Sequence, residues 1–357
     1  MYTKKQLKNS NVPKVSIIIL NYNAGDLLLD CVNSVLKSTY KNFKILVVDN
    51  HSSDNSHLNC KNKFPEIDLI INKENLGYCE GNNTGIRYTD SELIAILNPD
   101  TIVEPNWLDE LVSEFSNRGD GFYQPKILSV DDPTMIESTG NMIQLFGFGY
   151  SRDKGIKDTN SCCDVEEIGF PAGTCFLTSK KILEKLNMFD PFLFLYQDDL
   201  DLGWRGLQFK VKSFIVPSSV VYHTDSYNLK WSSKKFYWLE RNRKYCLLTH
   251  FSRKTIFLML PSLVIVDFFV FLFYLKKGFP QSKIQADFNL LKNLNKIMSK
   301  YNELETNKII HDKFIIDKFS DEVFLPTGIS KNNSENIFMI YFSKLSKITR
   351  KFLLKFI

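Results

Sequence analysis

Leu93-Ile94-Ala95-Ile96-Leu97-Asn98-Pro99-Asp100-Thr101 is a continuous apolar run that ends in a polar turn carrying one carboxylate. An uninterrupted run bounded by turn residues reads as a strand buried on both faces, the pattern of a parallel sheet covered by helices. Pro99 has no N–H to give to a ladder, so the strand stops before it. Asp100 then stands at the C-terminal edge of a sheet, where ligands bind in open α/β folds. Taken alone, a turn carboxylate accepting backbone N–H bonds would account for the same residue.

Three similar runs precede it: Val15 to Leu20, Phe43 to Val48 and Ile67 to Ile71. Between the first two, Leu28, Cys31, Val32, Val35 and Leu36 share one helical face. A short helix is expected after the capping-rich loop His51 to Ser56, another over Glu80 to Tyr88, and a fourth opening near Pro105. Alternating strands and helices over residues 15 to 116 predict a doubly wound, mostly parallel α/β sheet. Right-handed crossovers place the polar strand ends on one edge. Those ends carry Asn21, Asn23, Asp49, Asn50, Asn98 and Asp100, and their convergence marks a candidate site.

The pattern changes after Phe122. Gly140 to Gly149 reads as a hairpin or loop, and Phe170 to Leu177 ends in a strand. An aromatic lead-in then reaches Gln197-Asp198-Asp199-Leu200-Asp201-Leu202-Gly203-Trp204-Arg205. Three carboxylates opening a helix suit the positive end of its dipole, and also suit a base or a ligand. Ser213 to Val216 and Ser219 to Tyr222 read as two short strands, with His223 after the second.

The chain has 357 residues, 44% hydrophobic and 24% charged, enough for one large domain plus an extension. A net charge of +5 is too mild to imply a nucleic-acid partner. The seven cysteines have no framework spacing, which implies reduced thiols in a cytosolic compartment. No export signal or internal repeat is expected.

The ordered set Val15 to Ile19 with Asn21-Tyr22-Asn23, Val47-Val48-Asp49-Asn50-His51-Ser52-Ser53-Asp54, Glu74 to Tyr78, Asn82-Asn83, Leu97-Asn98-Pro99-Asp100-Thr101, Asp198 to Leu202 and His223 resembles family 2 glycosyltransferases of the GT-A fold, in particular the rhamnosyltransferase-like branch. The resemblance covers residues 13–250. It implies a nucleotide-diphosphate sugar donor bound over the strand ends, with Asp49 at the base, and with Asn21, Asn23, Asn75, Asn82, Asn98 and Asp100 lining the donor site. It implies a divalent cation, Mg²⁺ or Mn²⁺, against the diphosphate. Where the family has Asp-x-Asp this chain has Asn98-Pro99-Asp100. One charge is therefore missing, and His223 becomes the further metal ligand expected beside Asp100. Asp199 stands in the place of the base of inverting transfer. Asp198 is expected beside it, holding the acceptor or raising its pKa. Gly173 and Thr174 are expected to wall the acceptor pocket, Asp201 to be structural, and Trp204 and Arg205 to supply packing and a phosphate contact.

Beyond residue 250, Ile256 to Leu275 is apolar and long enough for a bilayer core of about 30 Å, but it contains Pro261 and Asp267. The expectation for 251–298 is a membrane-associated helical segment, bent or re-entrant. A polar tether is expected over 299–336 and a basic amphipathic helix over 337–357, suited to an anionic lipid surface. Together these imply an enzyme on the cytoplasmic face of the cell membrane, using a UDP- or dTDP-sugar and a glycan or lipid-linked acceptor. Two rivals share the sheet. A sugar nucleotidylyltransferase would carry a Gly-rich basic loop after the first strand, where this chain has Asn21 to Asp26. An inactive membrane-associated scaffold would fit the amide at Asn98. A dehydrogenase would need G-x-G-x-x-G, which is absent.

Overall fold

The structure is a computed structural model and describes residues 12–159, 162–224, 232–322 and 333–357. The first half alternates as the sequence predicts: β1 (Val15–Asn21), α1 (Asp26–Leu36), β2 (Phe43–Asp49), α2 (Ser56–Lys63), β3 (Asp68–Ile71), α3 (Gly77–Tyr88) and β4 (Leu93–Leu97). Then follow β5 (Thr101–Val103), α4 (Trp107–Arg118), β6 (Gly121–Ser129), β7 (Ile136–Ser138), β8 (Asn141–Ile143), β9 (Gly149–Ser151), β10 (Glu166–Ile168), β11 (Cys175–Ser179) and α5 (Lys180–Lys185). The chain continues with α6 (Asp198–Gln208), β12 (Lys212–His223), α7 (Ser233–His250), α8 (Arg253–Lys276), α9 (Pro280–Lys292), α10 (Leu294–Asn307), α11 (Asp312–Lys318) and α12 (Asn333–Phe356).

The main sheet runs β10-β12-β6-β11-β4-β1-β2-β3. Its β3-β2-β1-β4 half is wholly parallel. β11 then inserts antiparallel to both β4 and β6, and β12 returns parallel to β6. The sheet is therefore an α/β sheet with a mixed second half. The opening run explains its two cores. Ile94 and Ile96 join Ile18, Leu46 and Val48 on one face, packed with Phe122, Phe176 and Trp204. Leu93, Ala95 and Leu97 join Ile17, Ile19 and Val47 on the other, packed with Leu28, Val32 and Trp107. Side chains alternate across a strand, so a strand buried on both faces must be apolar at every position. α3 lies close against the sheet at Gly85, where a Cβ would meet Ile18 Cγ2 at 2.7 Å.

Four expectations are corrected. The two strands at 213–216 and 219–222 are one strand, β12, whose register shifts between Val216 and Val220. Pro217 lies within this irregularity, where a residue without N–H is tolerated. Arg205 contacts no open site. It is buried, and its Nε donates to Asp201 Oδ2 at 2.9 Å while Nη1 donates to the carbonyl of Met188 at 2.7 Å. His250 Nε2 lies 3.2 Å from the other Asp201 oxygen. Burial alone would raise the Asp201 carboxyl, but Arg205 and His250 outweigh it and hold it well below the ordinary carboxylate range. The 256–275 segment is not a re-entrant hairpin, since α8 runs as a single helix through Pro261. The 299–336 stretch is not a tether over 299–318, because Tyr301, Leu304, Ile315 and Ile316 are buried on α10 and α11. Its polar residues cover one side of helices whose other side is apolar, which composition alone does not distinguish from a linker. Residues 323–332 of that stretch lie outside the described residues.

Removing one member of a buried ion pair strands its partner's charge. Arg205→Leu is expected to cost about 3–5 kcal/mol in unfolding free energy. Urea denaturation followed by circular dichroism tests this, and a midpoint equal to that of the parent chain would contradict it.

Candidate active site

The C-terminal ends of β1, β2 and β4 form the edge on which the sequence-predicted residues gather. At the β1–β2 end, Asn21 and Asp49 are register partners and both are buried. Asn21 Nδ2 donates to Asp49 Oδ1 at 2.8 Å and to Ser56 Oγ at 2.8 Å, and Asp49 Oδ2 accepts from the Ser52 N–H at 2.9 Å. His57 Nδ1 approaches Asp49 Oδ1 at 3.3 Å. Both side chains therefore shape the strand-end floor. Asn23 adopts a left-handed backbone, φ 54°, and its Oδ1 accepts the Ser53 N–H at 2.7 Å. Asn75 Oδ1 accepts from Asn50 Nδ2 and from the Gly77 N–H, both at 2.9 Å, and so closes the turn into α3. Asn50, which entered the sequence reading only as a strand end, is the hub here. Its own Oδ1 accepts from Asn72 Nδ2 at 3.1 Å and from the Leu76 N–H at 3.0 Å.

Asp100 and His223 come together through β5 and β12. Thr101 pairs with His223 across that ladder, and the Thr224 N–H donates to the Asp100 carbonyl at 3.0 Å. The pairing sets His223 Nε2 3.4 Å from Asp100 Oδ2. On the other side of the ring, Nδ1 lies 3.1 Å from Glu137 Oε2 on β7. Glu137 was missed in the sequence, since nothing local ties position 137 to position 223. Burial disfavours charge on the imidazole, but the hydrogen bonds to Asp100 and Glu137 outweigh it and push its pKa up to about 9. Asn98 is half-buried beside them. Its backbone N–H donates to the Thr174 carbonyl at 2.9 Å, which couples the turn at Asp100 to Gly173-Thr174.

Asp198 and Asp199 open α6. Asp198 is buried and Asp199 half-buried. Asp199 Oδ2 accepts the Gly173 N–H at 3.1 Å, and Oδ1 accepts the Leu200 N–H at 2.8 Å. Tyr78 donates from its hydroxyl to the Gly173 carbonyl, so that wall is pinned from both sides. Burial, reinforced by the charge of Asp199, pushes the Asp198 carboxyl well above the ordinary range. Burial raises Asp199 too, but the N–H bonds from Gly173 and Leu200 oppose the rise. Both carboxyls of the pair are thus raised, Asp198 well above the ordinary range and Asp199 against the opposition of its two N–H bonds.

The chain reaches Asp198 through a strained approach. Phe194, Tyr196 and Gln197 all have positive φ, between 61° and 67°. Such residues persist only where the surroundings over-determine them. Here α7 supplies the restraint: Asn242 Nδ2 donates to the carbonyls of Leu193, Leu195 and Tyr196 at 3.0, 2.9 and 2.7 Å, and Arg241 Nη2 donates to Leu193 at 2.9 Å. Gly77 completes the seat with φ +76°, where a Cβ would fall 2.5 Å from the Phe194 ring. Neither Asn242 nor Arg241 carries a sequence signal, because both sit in an ordinary polar helix.

The chemistry of the edge fits a divalent cation with a phosphorylated ligand. Asp100 Oδ1, Asn21 Oδ1 and Asn82 Oδ1 are buried polar oxygens with no hydrogen-bond partner among the described residues. Buried oxygens left in that state mark a place for a donor or a cation. Magnesium-like ions take one or two protein ligands and complete their shell from substrate phosphate and water. Glu240, Asp267 and Asp287 also cluster, but Arg243 pairs with Glu240 and Lys244 and Lys283 lie among them, so the three carboxylates already face three cations.

An α/β domain with acidic groups and an imidazole gathered on the C-terminal sheet edge is the class these features define. Residues 16–187 match the model of glycosyl transferase family 2. An uncharacterised glycosyltransferase of Haemophilus influenzae is 33% identical over 106 residues, 29% of this chain and 33% of that protein. The Escherichia coli UDP-Glc:alpha-D-GlcNAc-diphosphoundecaprenol beta-1,3-glucosyltransferase WfgD is 37% identical over 101 residues, 28% of this chain and 40% of that one. The Haloferax volcanii low-salt glycan biosynthesis hexosyltransferase Agl10 is 25% identical over 206 residues, 56% of this chain and 64% of that one. The chain thus spans between about a third and two thirds of the length of these relatives. A crystal structure of GalNAc-T7 with UDP, GalNAc and Mn²⁺ superposes with a TM-score of 0.55 at 17% identity, covering 68% of this chain and 48% of that one. Residues 16–187 are thus similar to glycosyl transferase family 2, and the sheet has the GT-A fold.

Asn242→Leu is expected to leave the carbonyls of Leu195 and Tyr196 without their donor, Leu193 keeping that of Arg241, and unsatisfied buried groups cost about 1–3 kcal/mol each. The loss is read from the urea midpoint. A variant as stable as the parent would contradict the role assigned to Asn242.

Proposed function

We propose that the protein is a metal-assisted inverting glycosyltransferase that moves a sugar from a UDP- or dTDP-sugar to a hydroxyl of a glycan or lipid-linked acceptor, on the cytoplasmic face of the cell membrane. The observation that carries this reading is the division of labour on one sheet edge: Asp100 with His223 on one side, and Asp199 on the other, joined through the Asn98–Thr174 hydrogen bond. The names of relatives support the substrate classes. One acts on a diphosphoundecaprenol-linked sugar with UDP-Glc, and the structural neighbour was crystallised with UDP and Mn²⁺.

In this reading Asn21 and Asp49 floor the base pocket, Asn23 and Asn75 shape the turns over which the donor lies, and Asn82 on α3 offers its unpartnered Oδ1 to it. Asp100 and His223 would hold Mg²⁺ or Mn²⁺, which when bound neutralises charge on the diphosphate leaving group. Glu137, bonded to the far nitrogen of His223, fixes the direction of the ring, as a carboxylate behind a ligating histidine does. Asp199 takes the proton from the acceptor hydroxyl as its oxygen bonds to C1 of the sugar. The bond from C1 to the phosphate oxygen breaks, and its electrons leave with the nucleoside diphosphate. Asp198, protonated, adds no second negative charge beside the incoming oxygen. Gly173 and Thr174 wall the acceptor.

Asp199→Asn removes the base without changing shape, and loss of a general base lowers turnover roughly 10²–10⁴-fold. The pH dependence has a defined sign. Asp199 must be ionised, and burial raises its pKa. Activity is therefore lost as pH falls through that raised pKa, above the ordinary carboxylate value of about 3.9. Sugar transfer followed over a pH series tests both statements. An asparagine variant with parental turnover, or an acid limb at or below the ordinary value, would contradict the assignment.

A further inference from the structure

α8 has two different apolar faces. The inward face carries Thr255, Met259, Val266 and Tyr274, all buried. The outward face, at helical spacing, carries Phe257, Leu260, Val264, Phe268, Leu272 and Leu275, between 40% and 74% exposed. Only 11% of the most apolar window is buried, although its mean hydropathy is 2.6. By length and composition the helix could cross a bilayer.

Its polar contacts oppose that placement. In the first turn Thr255 Oγ1 donates to Asp312 on α11. Further along, Ser262 Oγ lies 2.7 Å from Thr349 Oγ1 on α12. At the middle, Asp267 pairs with Lys244 of α7 and, at 2.9 Å, with Lys283 of α9. Near the end, the Tyr274 hydroxyl donates to the Phe236 carbonyl at 2.8 Å. The ties run from one end of the helix to the other and reach four different helices. Passing one end of α8 across a bilayer would take Asp267 away from Lys244 and Lys283 and leave its carboxylate unpaired.

The surroundings of the outward face are cationic. Arg253 and Lys254 are exposed at one end of α8 and Lys276 at the other. Adjacent α9 exposes Ile284, Phe288 and Leu291. α12 packs inward through Phe342, Ser346, Thr349 and Leu353, and exposes Tyr341, Ile348, Phe352 and Phe356 together with Lys344, Lys347, Lys351 and Lys355. Leu345 is half-buried. A broad apolar surface rimmed by lysines matches the acyl boundary and headgroups of an anionic bilayer. A second copy would bring the same lysines against one another.

We infer that α8, α9 and α12 form a platform that seats the protein on an anionic lipid surface with α8 lying in the membrane plane, not crossing it. This rests on the membrane placement proposed above and fixes its geometry. The first test is flotation of the full chain with vesicles of phosphatidylcholine and phosphatidylglycerol, against phosphatidylcholine alone. The chain floats with the anionic vesicles. A variant with Phe257→Ser, Val264→Ser, Phe268→Ser and Leu272→Ser, folded by circular dichroism, does not. If the parent chain stays at the bottom of the gradient, the membrane placement falls. If it also forms a dimer that the variant breaks, the face belongs to a second copy. The second test separates orientation from binding. In a bacterial membrane preparation, with Cys162 and Cys163 replaced by serine, Lys254→Cys and Lys276→Cys are each treated with a membrane-impermeant maleimide. Both react from the same side. Reaction from opposite sides, with flotation intact, overturns the in-plane geometry and leaves the membrane placement standing.

Discussion

Three residues of backbone, Thr101–Val103, pair antiparallel with Val221–His223, and this short ladder turns two distant pieces of chain into one site. A carboxylate at a strand end is common, and so is a histidine after an edge strand. What gives them a joint chemistry is register. Thr101 opposite His223 sets the ring against Asp100, and the parallel pairing of β12 with β6 brings the same ring within reach of Glu137 on β7. The irregularity between Val216 and Val220 matters to this arrangement. A one-residue slip in a strand moves every side chain to the opposite face, so the bulge fixes which residue of β12 faces the site.

The other half of the site depends on a different restraint. Asp198 and Asp199 are delivered by an approach with three residues at positive φ, and the Asn242 amide on α7 donates to the carbonyls of Leu193, Leu195 and Tyr196 along it. Positioning by a helix outside the sheet explains why α7 belongs with the catalytic-type domain physically, although it follows the last strand. It also separates the roles of three neighbouring carboxylates. Asp201, facing inward to Arg205 and His250, is structural. Asp198 is buried, and burial with the neighbouring Asp199 charge pushes its carboxyl well above the ordinary range. Asp199 is half-buried and bonded to two backbone N–H groups that oppose the rise.

Much of this was legible in the sequence because it is local. The run Leu93–Leu97 is apolar at every position, and a strand buried on both faces permits nothing else. Asp100 at its end and the Asx residues at the ends of β1 and β2 follow from topology alone. The unreadable parts are non-local. Glu137 and Asn242 act on residues far away in sequence, and their own surroundings look ordinary. Arg205 read as a phosphate contact because its charge is visible and its burial is not. The stretch beyond residue 299 read as a tether because α10 and α11 are amphipathic and short of apolar residues, while their buried side chains meet partners that only the fold supplies. α8 shows the converse, since its hydropathy is plain in the sequence but the contacts of Asp267 that hold it to the domain are not.

The asymmetry of Asn98-Pro99-Asp100 remains the chemical signature of the site. One carboxylate rather than two stands at the strand end, the imidazole of His223 lies 3.4 Å from it, and Asp100 Oδ1 is without a partner among the described residues. The most direct measurement is the thermal stability of the intact protein with a panel of UDP- and dTDP-sugars, with and without Mn²⁺. A ligand that binds only the folded state raises the midpoint by mass action. The account predicts stabilisation by at least one donor that depends on Mn²⁺ and disappears in Asp100→Ala. No stabilisation by any donor, or stabilisation indifferent to the metal, would contradict it.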